Sequence, residues 1–176
     1  MIFVRAVNVG GTARLPMADF RSMLEELGGK HPRTYIASGN AVLELDASDA
    51  SGWSTFDRSV ERELEVRFGF QRDVVSRSVK EVEGALAEHP FPVTDPKWSY
   101  VTFLTAEPQP ENLASASELP PSDAEWTVLG AHLHIRYPEG MSATTLNADA
   151  LFKRLGVTGT ARNLRTVRAI LDLAQG

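Results

Sequence analysis

Arg33-Thr34-Tyr35-Ile36-Ala37-Ser38-Gly39-Asn40-Ala41-Val42-Leu43-Glu44-Leu45-Asp46 is the stretch that decides the fold. Residues 33–37 and 41–46 are strand-like runs, and the Gly-Asn pair in Ser38-Gly39-Asn40 between them suits a tight hairpin. Toward the N-terminus, Met17, Phe20, Leu24 and Leu27 recur at helical spacing. Pro16 suits the first helical position, and Gly28-Gly29 stops the helix. Before it, residues 2–7 read as a strand ended by Gly10-Gly11. On the other side, Trp53, Phe56, Val60, Leu64 and Phe68 form a second amphipathic helix. Its outer face carries Arg58/Glu61 and Arg62/Glu65 pairs three residues apart, and Gly69 closes it. Residues 71–76 read as a strand. The order β-α-β-β-α-β is that of a ferredoxin-like unit.

The remainder reads as a second such unit. Ser78-Val79-Lys80-Glu81 fits a capping box opening a linking helix. Pro90, Pro92 and Pro96 mark a linker. Residues 98–104 read as a strand, and a weak helix follows within 106–121. Residues 126–129 and 132–137 form a hairpin around Gly130-Ala131. A helix over 146–155, a short strand over 157–160 and a terminal helix over 163–174 complete the reading. The expected fold is α+β: two ferredoxin-like units related by structural duplication, with a linking helix and a C-terminal helix. The expected division is 1–77, a linking segment 78–97, and 98–176.

Composition bounds the chemistry. The chain has 176 residues, 43% hydrophobic and 23% charged, which suits a packed globular core and argues against disorder. With no cysteine, thiolate metal sites, thiol catalysis and disulfides are excluded, and a reducing cytoplasmic setting is expected. The opening Met1-Ile2-Phe3-Val4-Arg5 reaches a charge too early for a signal sequence. No apolar run approaches a membrane span. The formal charge of −5 argues against a uniformly basic nucleic-acid binder. That figure averages unlike regions. Residues 1–40 hold five basic residues and three acids, residues 151–176 hold five and one, and the middle carries a net −11.

Candidate site residues lie at the two positive ends. Arg5, Asn8, Gly10 and Gly11 follow the first strand, where glycines let a backbone approach a ligand or merely serve a turn. The pattern is neither a phosphate-binding P-loop nor a dinucleotide fingerprint. Ser38 and Asn40 open to the same two readings. Arg162, Arg165 and Arg168 share one arc of the terminal helix, opposite Leu164, Val167, Ile170, Leu171 and Ala174. Cations at a helix start oppose its dipole, so internal carboxylates or an external anion must compensate. Asn163 suits a helix N-cap. His132, His134 and Arg136 share a strand face expected to meet solvent, and no third ligand joins the histidines, so no metal or cofactor is expected.

Three segments together resemble a known family. Phe3-Val4-Arg5-Ala6-Val7-Asn8-Val9-Gly10-Gly11, Arg33-Thr34-Tyr35-Ile36-Ala37-Ser38-Gly39-Asn40 and Thr160-Ala161-Arg162-Asn163-Leu164-Arg165-Thr166-Val167 are similar to the motifs of domain of unknown function 1697, a mostly bacterial family. Its usual opening is similar to L-R-G-I-N-V-G-G, its second motif to R-T-Y-I-x-S-G-N, and its close to T-x-R-N-W-x-T-V. Ala6 stands where Gly is usual, and Leu164 where Trp is common. The resemblance implies a pair of ferredoxin-like units and no established activity. The leading expectation is a binding module for a small phosphorylated or nucleotide ligand, with Arg5, Asn8, Gly10, Gly11, Arg33, Ser38, Asn40, Arg162, Asn163 and Arg165 at its site. The alternatives are an enzyme acting on such a ligand, nucleic-acid binding through the positive ends, and a purely structural role for the motifs.

Overall fold

The computed structural model describes residues 1–46 and 50–176. The chain groups into two compact units, Met1–Val82 with Ala169–Gly176, and Glu83–Arg168.

The first unit runs β1 (Ile2–Val4), α1 (Met17–Glu26), β2 (Lys30–Thr34), β3 (Asn40–Glu44), α2 (Ala50–Phe68) and β4 (Val74–Ser76). Its sheet has the order β2-β3-β1-β4 with every pair antiparallel, which is the ferredoxin-like arrangement. The helical spacings seen in sequence deliver the core. Phe20, Met23 and Leu24 of α1 meet Phe56, Val60 and Leu64 of α2 over Ile2, Val4, Ala41, Leu43 and Val74 of the sheet. Trp53 and Phe68 lie at the rim of that cluster.

Three local expectations shift. Pro16 is the N-cap of α1 rather than its first helical residue, with extended backbone. β2 begins at Lys30 and ends at Thr34, with an irregularity between Lys30 and Arg33 where His31 is left-handed at φ +51°. The connection to β3 is therefore longer than a two-residue hairpin, and Ile36 within it is left-handed. Gly39 is required there. A Cβ at its φ of +74° would stand 2.6 Å from Val7 Cγ2 and 3.0 Å from Val4 Cβ.

The two margins of this sheet are both interrupted as ladders. Along β4, Glu61 Oε1 accepts from Val74 N–H at 2.9 Å and Asp57 Oδ2 from Ser76 N–H at 3.0 Å. Ser76 Oγ also donates to Asp57 Oδ1. Along β2, Pro32 has no N–H to offer.

The second unit contains β5 (Ser99–Leu104), α4 (Pro110–Ser117), β6 (Glu125–Leu129), β7 (His132–Arg136), α5 (Ala148–Leu155) and β8 (Gly159–Asn163). The sheet order β6-β7-β5-β8 repeats that of the first unit. Two further helices, α3 (Val79–Ala87) and α6 (Leu164–Gln175), are the linking and terminal ones. The capping box is formed: Ser78 N–H donates to Glu81 Oε2 at 2.7 Å, and Glu81 N–H to Ser78 Oγ at 3.2 Å. Leu104, Leu133, Ile135, Leu151 and Leu155 centre the core. Asp123 anchors the loop before α5, taking Thr145 N–H at 2.6 Å and the hydroxyls of Thr144 and Thr145. These bonds hold its carboxyl down at about 2.

Two expectations are corrected here. Arg162 lies on β8, not on the terminal helix, because residues 159–163 pair with β5 over five rungs. The solvent-facing reading of His132 and His134 also fails. His134 is fully buried, and His132 is partly so. The reason is that both faces of β7 are covered, so alternation of polar and apolar residues does not mark an outer face there.

Candidate anion-binding cleft

Helix α2 presents Arg58, Glu61, Arg62 and Glu65 on one face, since residues three, four and seven apart align along a helix. Opposite that face β1 ends, Arg5 follows it, and Ala6 turns the chain at φ +47°. The segment Gln71-Arg72-Asp73 runs into β4. These residues enclose a cleft of about 720 Å³ lined by Arg5, Ala6, Arg58, Glu61, Arg62, Glu65, Gln71, Arg72 and Asp73. Four guanidiniums against three carboxylates leave it one positive charge.

The four arginines are not equivalent. Arg5 Nη1 pairs with Asp73 Oδ2 at 3.2 Å, and Arg58 Nη1 with Glu61 Oε2 at 2.6 Å. The expected Arg62/Glu65 pair does not form. Glu65 Oε1 instead accepts from Gln71 Nε2 at 2.7 Å, while Arg62 Nη2 reaches Ser59 Oγ at 3.4 Å. Arg72 donates to main-chain oxygens, from Nε to Ala6 at 3.4 Å and from Nη1 to Gln71 at 2.8 Å. Among the described residues, Arg62 and Arg72 have no carboxylate partner. A guanidinium fork without a counter-charge is suited to an external carboxylate or phosphate.

Of the ten residues singled out in sequence, Arg5 lines this cleft. Asn8 is left-handed, and its carboxamide is bound to main chain. It donates to Leu15 O at 2.8 Å and Ala37 O at 2.7 Å, and accepts from Leu15 N–H at 2.8 Å. Gly10 and Gly11 form an exposed turn with positive φ between Val9 and Thr12. Asn40 is buried and donates to Tyr35 O at 3.1 Å and to Ser38 Oγ at 2.8 Å. Arg33 is exposed on β2. Asn8 thus ties the loop after β1 to the loop before β3, and Asn40 braces that second loop through Tyr35 and Ser38.

Arg162, Asn163 and Arg165 belong to the second unit. Arg162 is buried, with Nη1 on Thr160 Oγ1 at 2.6 Å and Ala161 O at 2.8 Å, and burial pulls its guanidinium down to about 10. Asn163 Oδ1 accepts from Thr166 N–H at 2.9 Å and so caps α6. Arg165 is exposed. In the same unit His134 Nδ1 lies 3.2 Å from His89 Nδ1, so one ring donates and the other accepts. Burial first, then His89 and His132, hold His134 down at about 4. Among the described residues no group of three or more acids and histidines is placed to hold a metal ion.

Arg58, Arg62 and Arg72 were missed because their spacing reads as a solvated helix face and a strand start. The usable signal was the pair of arginines flanking Glu61 on α2, with Gln71 and Arg72 arriving just past the helix end.

A family model described as a protein of unknown function, DUF1697, matches residues 1–134. The chain belongs to this family. The matched part of the DUF1697 chain contains every residue that lines the cleft. The conserved bacterial protein SP0830 from Streptococcus pneumoniae is 24% identical, with a TM-score of 0.71 over 98% of this chain and 96% of that one. That likeness is one of fold. No curated protein matches the chain.

Proposed function

We propose that the protein is a binding module for a small anionic, phosphorylated ligand, held in the cleft of the first unit by Arg62 and Arg72 with Arg5 and Arg58 beside them. The observation that carries this reading is that two guanidiniums reach one cleft without a carboxylate partner among the described residues. Arg5 is the member of the sequence-derived set that belongs to it. Asn8, Ser38 and Asn40 support the reading indirectly, by fixing the loops behind Arg5. The cysteine-free composition supports a cytoplasmic setting. Among the described residues no helix is long and apolar enough to cross a membrane.

Calorimetric titration with inorganic phosphate and with phosphate monoesters tests the reading. Replacing both Arg62 and Arg72 by Ala is expected to weaken binding at least ~10-fold per lost charge-assisted contact. Undiminished binding in that double variant places the ligand elsewhere and rejects the cleft.

A further inference from the structure

We propose that β6 is a self-association margin, and that two copies of this chain pair their β6 strands antiparallel about a two-fold axis at Thr127. Tyr137 N–H donates to Trp98 O at 2.9 Å, on the β5 side of β7. Successive residues of a strand point their amides to opposite sides. Leu133 and Ile135 therefore also serve β5, while His132, His134 and Arg136 serve β6. Their partners Leu129, Thr127 and Glu125 are thereby occupied. Trp126 and Val128 point their N–H and C=O groups away from β7. No strand other than β7 pairs with β6, and among the described residues none bonds those outward groups. The other margins carry devices that β6 lacks. In the first sheet these are the carboxylates on β4, and the proline and irregularity of β2. On β8 the Arg162 guanidinium takes Ala161 O at 2.8 Å. By contrast β6, Glu125-Trp126-Thr127-Val128-Leu129, holds no proline or lysine, and its ladder with β7 runs without a shift. Its one charge, Glu125, is matched by Arg136 on β7.

The order of residues along β6 selects a second copy of this chain as the occupant. An antiparallel copy centred on Thr127 overlaps the whole strand. It sets Trp126 opposite Val128 of the second copy, and Val128 opposite Trp126. Each of these pairs closes two main-chain hydrogen bonds, because both members point outward. Thr127 meets Thr127 on the axis. Aromatic against β-branched, and threonine against threonine, are favourable cross-strand pairs. Glu125 meets Leu129, whose side of the strand end is 37% exposed in the single chain, and never its own counterpart. The two Glu125 carboxylates stand ~14 Å apart along the strands, beyond the ~8 Å screening length. The strand is thus complementary to itself, and the contact is isologous and closes at two copies. Its seam is short, so association is expected at ~100 μM rather than at nanomolar concentration.

Sedimentation equilibrium of the full chain, with amide exchange followed residue by residue, tests the proposal between ~50 μM and ~1 mM. The wild type should move from monomer toward dimer across that range. The Trp126 and Val128 amides should gain at least ~5-fold protection with concentration, while those of Thr127 and Leu129, already bonded to β7, hold theirs. Thr127→Lys sets like charges against each other on the axis and should weaken association at least ~10-fold, as should Thr127→Glu. An equimolar mixture of the two variants should associate again, at least as tightly as the wild type. Exchange in the wild type reads the margin even if a substituted chain fails to fold. A wild-type monomer at ~1 mM overturns self-pairing and leaves β6 to a foreign strand or to none. A dimer whose Trp126 and Val128 amides are unchanged places the contact elsewhere and overturns it equally. So does a mixture of folded charge variants that stays monomeric.

Discussion

Ala6 sits in the left-handed region at φ +47°, where an L-residue is strained by about 1–2 kcal/mol. Its carbonyl oxygen accepts from Arg72 Nε, so the strained turn also positions one wall of the cleft. Glycine is usual at this position in the motif that the opening resembles, and the backbone angle gives the physical reason. Ala6→Gly is expected to raise stability by about 0.5–1 kcal/mol, the relief being partly offset by the freer unfolded chain. A shift in the urea midpoint at unchanged slope measures it, and a lower midpoint rejects the strain. Gly39 is the opposite case. Gly39→Ala combines a left-handed penalty with a Cβ pressed onto Val4 and Val7, and should cost about 2–5 kcal/mol in the same assay. Arg5 was legible because it ends a strand. Arg62 was not, since helical spacing promises a pair with Glu65 that Gln71 intercepts.

At the scale of elements, helix α2 does two jobs with one set of carboxylates. Glu61 meets both Val74 N–H on β4 and Arg58 in the cleft. Asp57, one turn earlier, takes Ser76. Burial pushes the Asp57 carboxyl up to about 6 despite the two bonds from Ser76. A raised folded value means that this group's contribution is fully present below the ordinary carboxylate range and is lost as the pH climbs through 6. Asp57→Asn stays neutral and keeps an acceptor for Ser76 N–H. Urea unfolding at pH 4.5 and pH 7 should therefore show a smaller difference between the two pH values in the variant than in the wild type, apart from any common trend. The strand and helix order was legible because the apolar periods are strong. The ends of β2 and β8 were not, because Pro32, a left-handed His31 and a buried Arg162 all break the usual composition of strands.

For the molecule as a whole, Asp57 in the first unit and His134 in the second respond to acid with opposite signs. His134 in the second unit is depressed to about 4, so the stability it supports is lost as the pH falls from its ordinary value toward 4. One proton contributes up to about 1.4 kcal/mol per pH unit in that window. Hydrogen exchange between pH 6.5 and 4.5, corrected for intrinsic rates, should show β5 and β7 losing protection while β1 and β4 gain it. His134→Leu should abolish the loss in the second unit alone, and a uniform response across both sheets refutes the assignment. The chain's overall charge of −5 hid the candidate site for a related reason. Regional sums along the chain pointed to the positive ends, yet Arg58, Arg62 and Arg72 come from the acidic middle. Folding sorts charge by helix face and strand end, which no linear average records. The interrupted margins of the first sheet bear on association between copies. A foreign strand arriving at β4 meets amides already taken by carboxylates, and at β2 it meets a proline and a bulge. Strand addition at the β4 margin is therefore opposed by the same carboxylates that align helix α2, and at β2 by the break in its ladder.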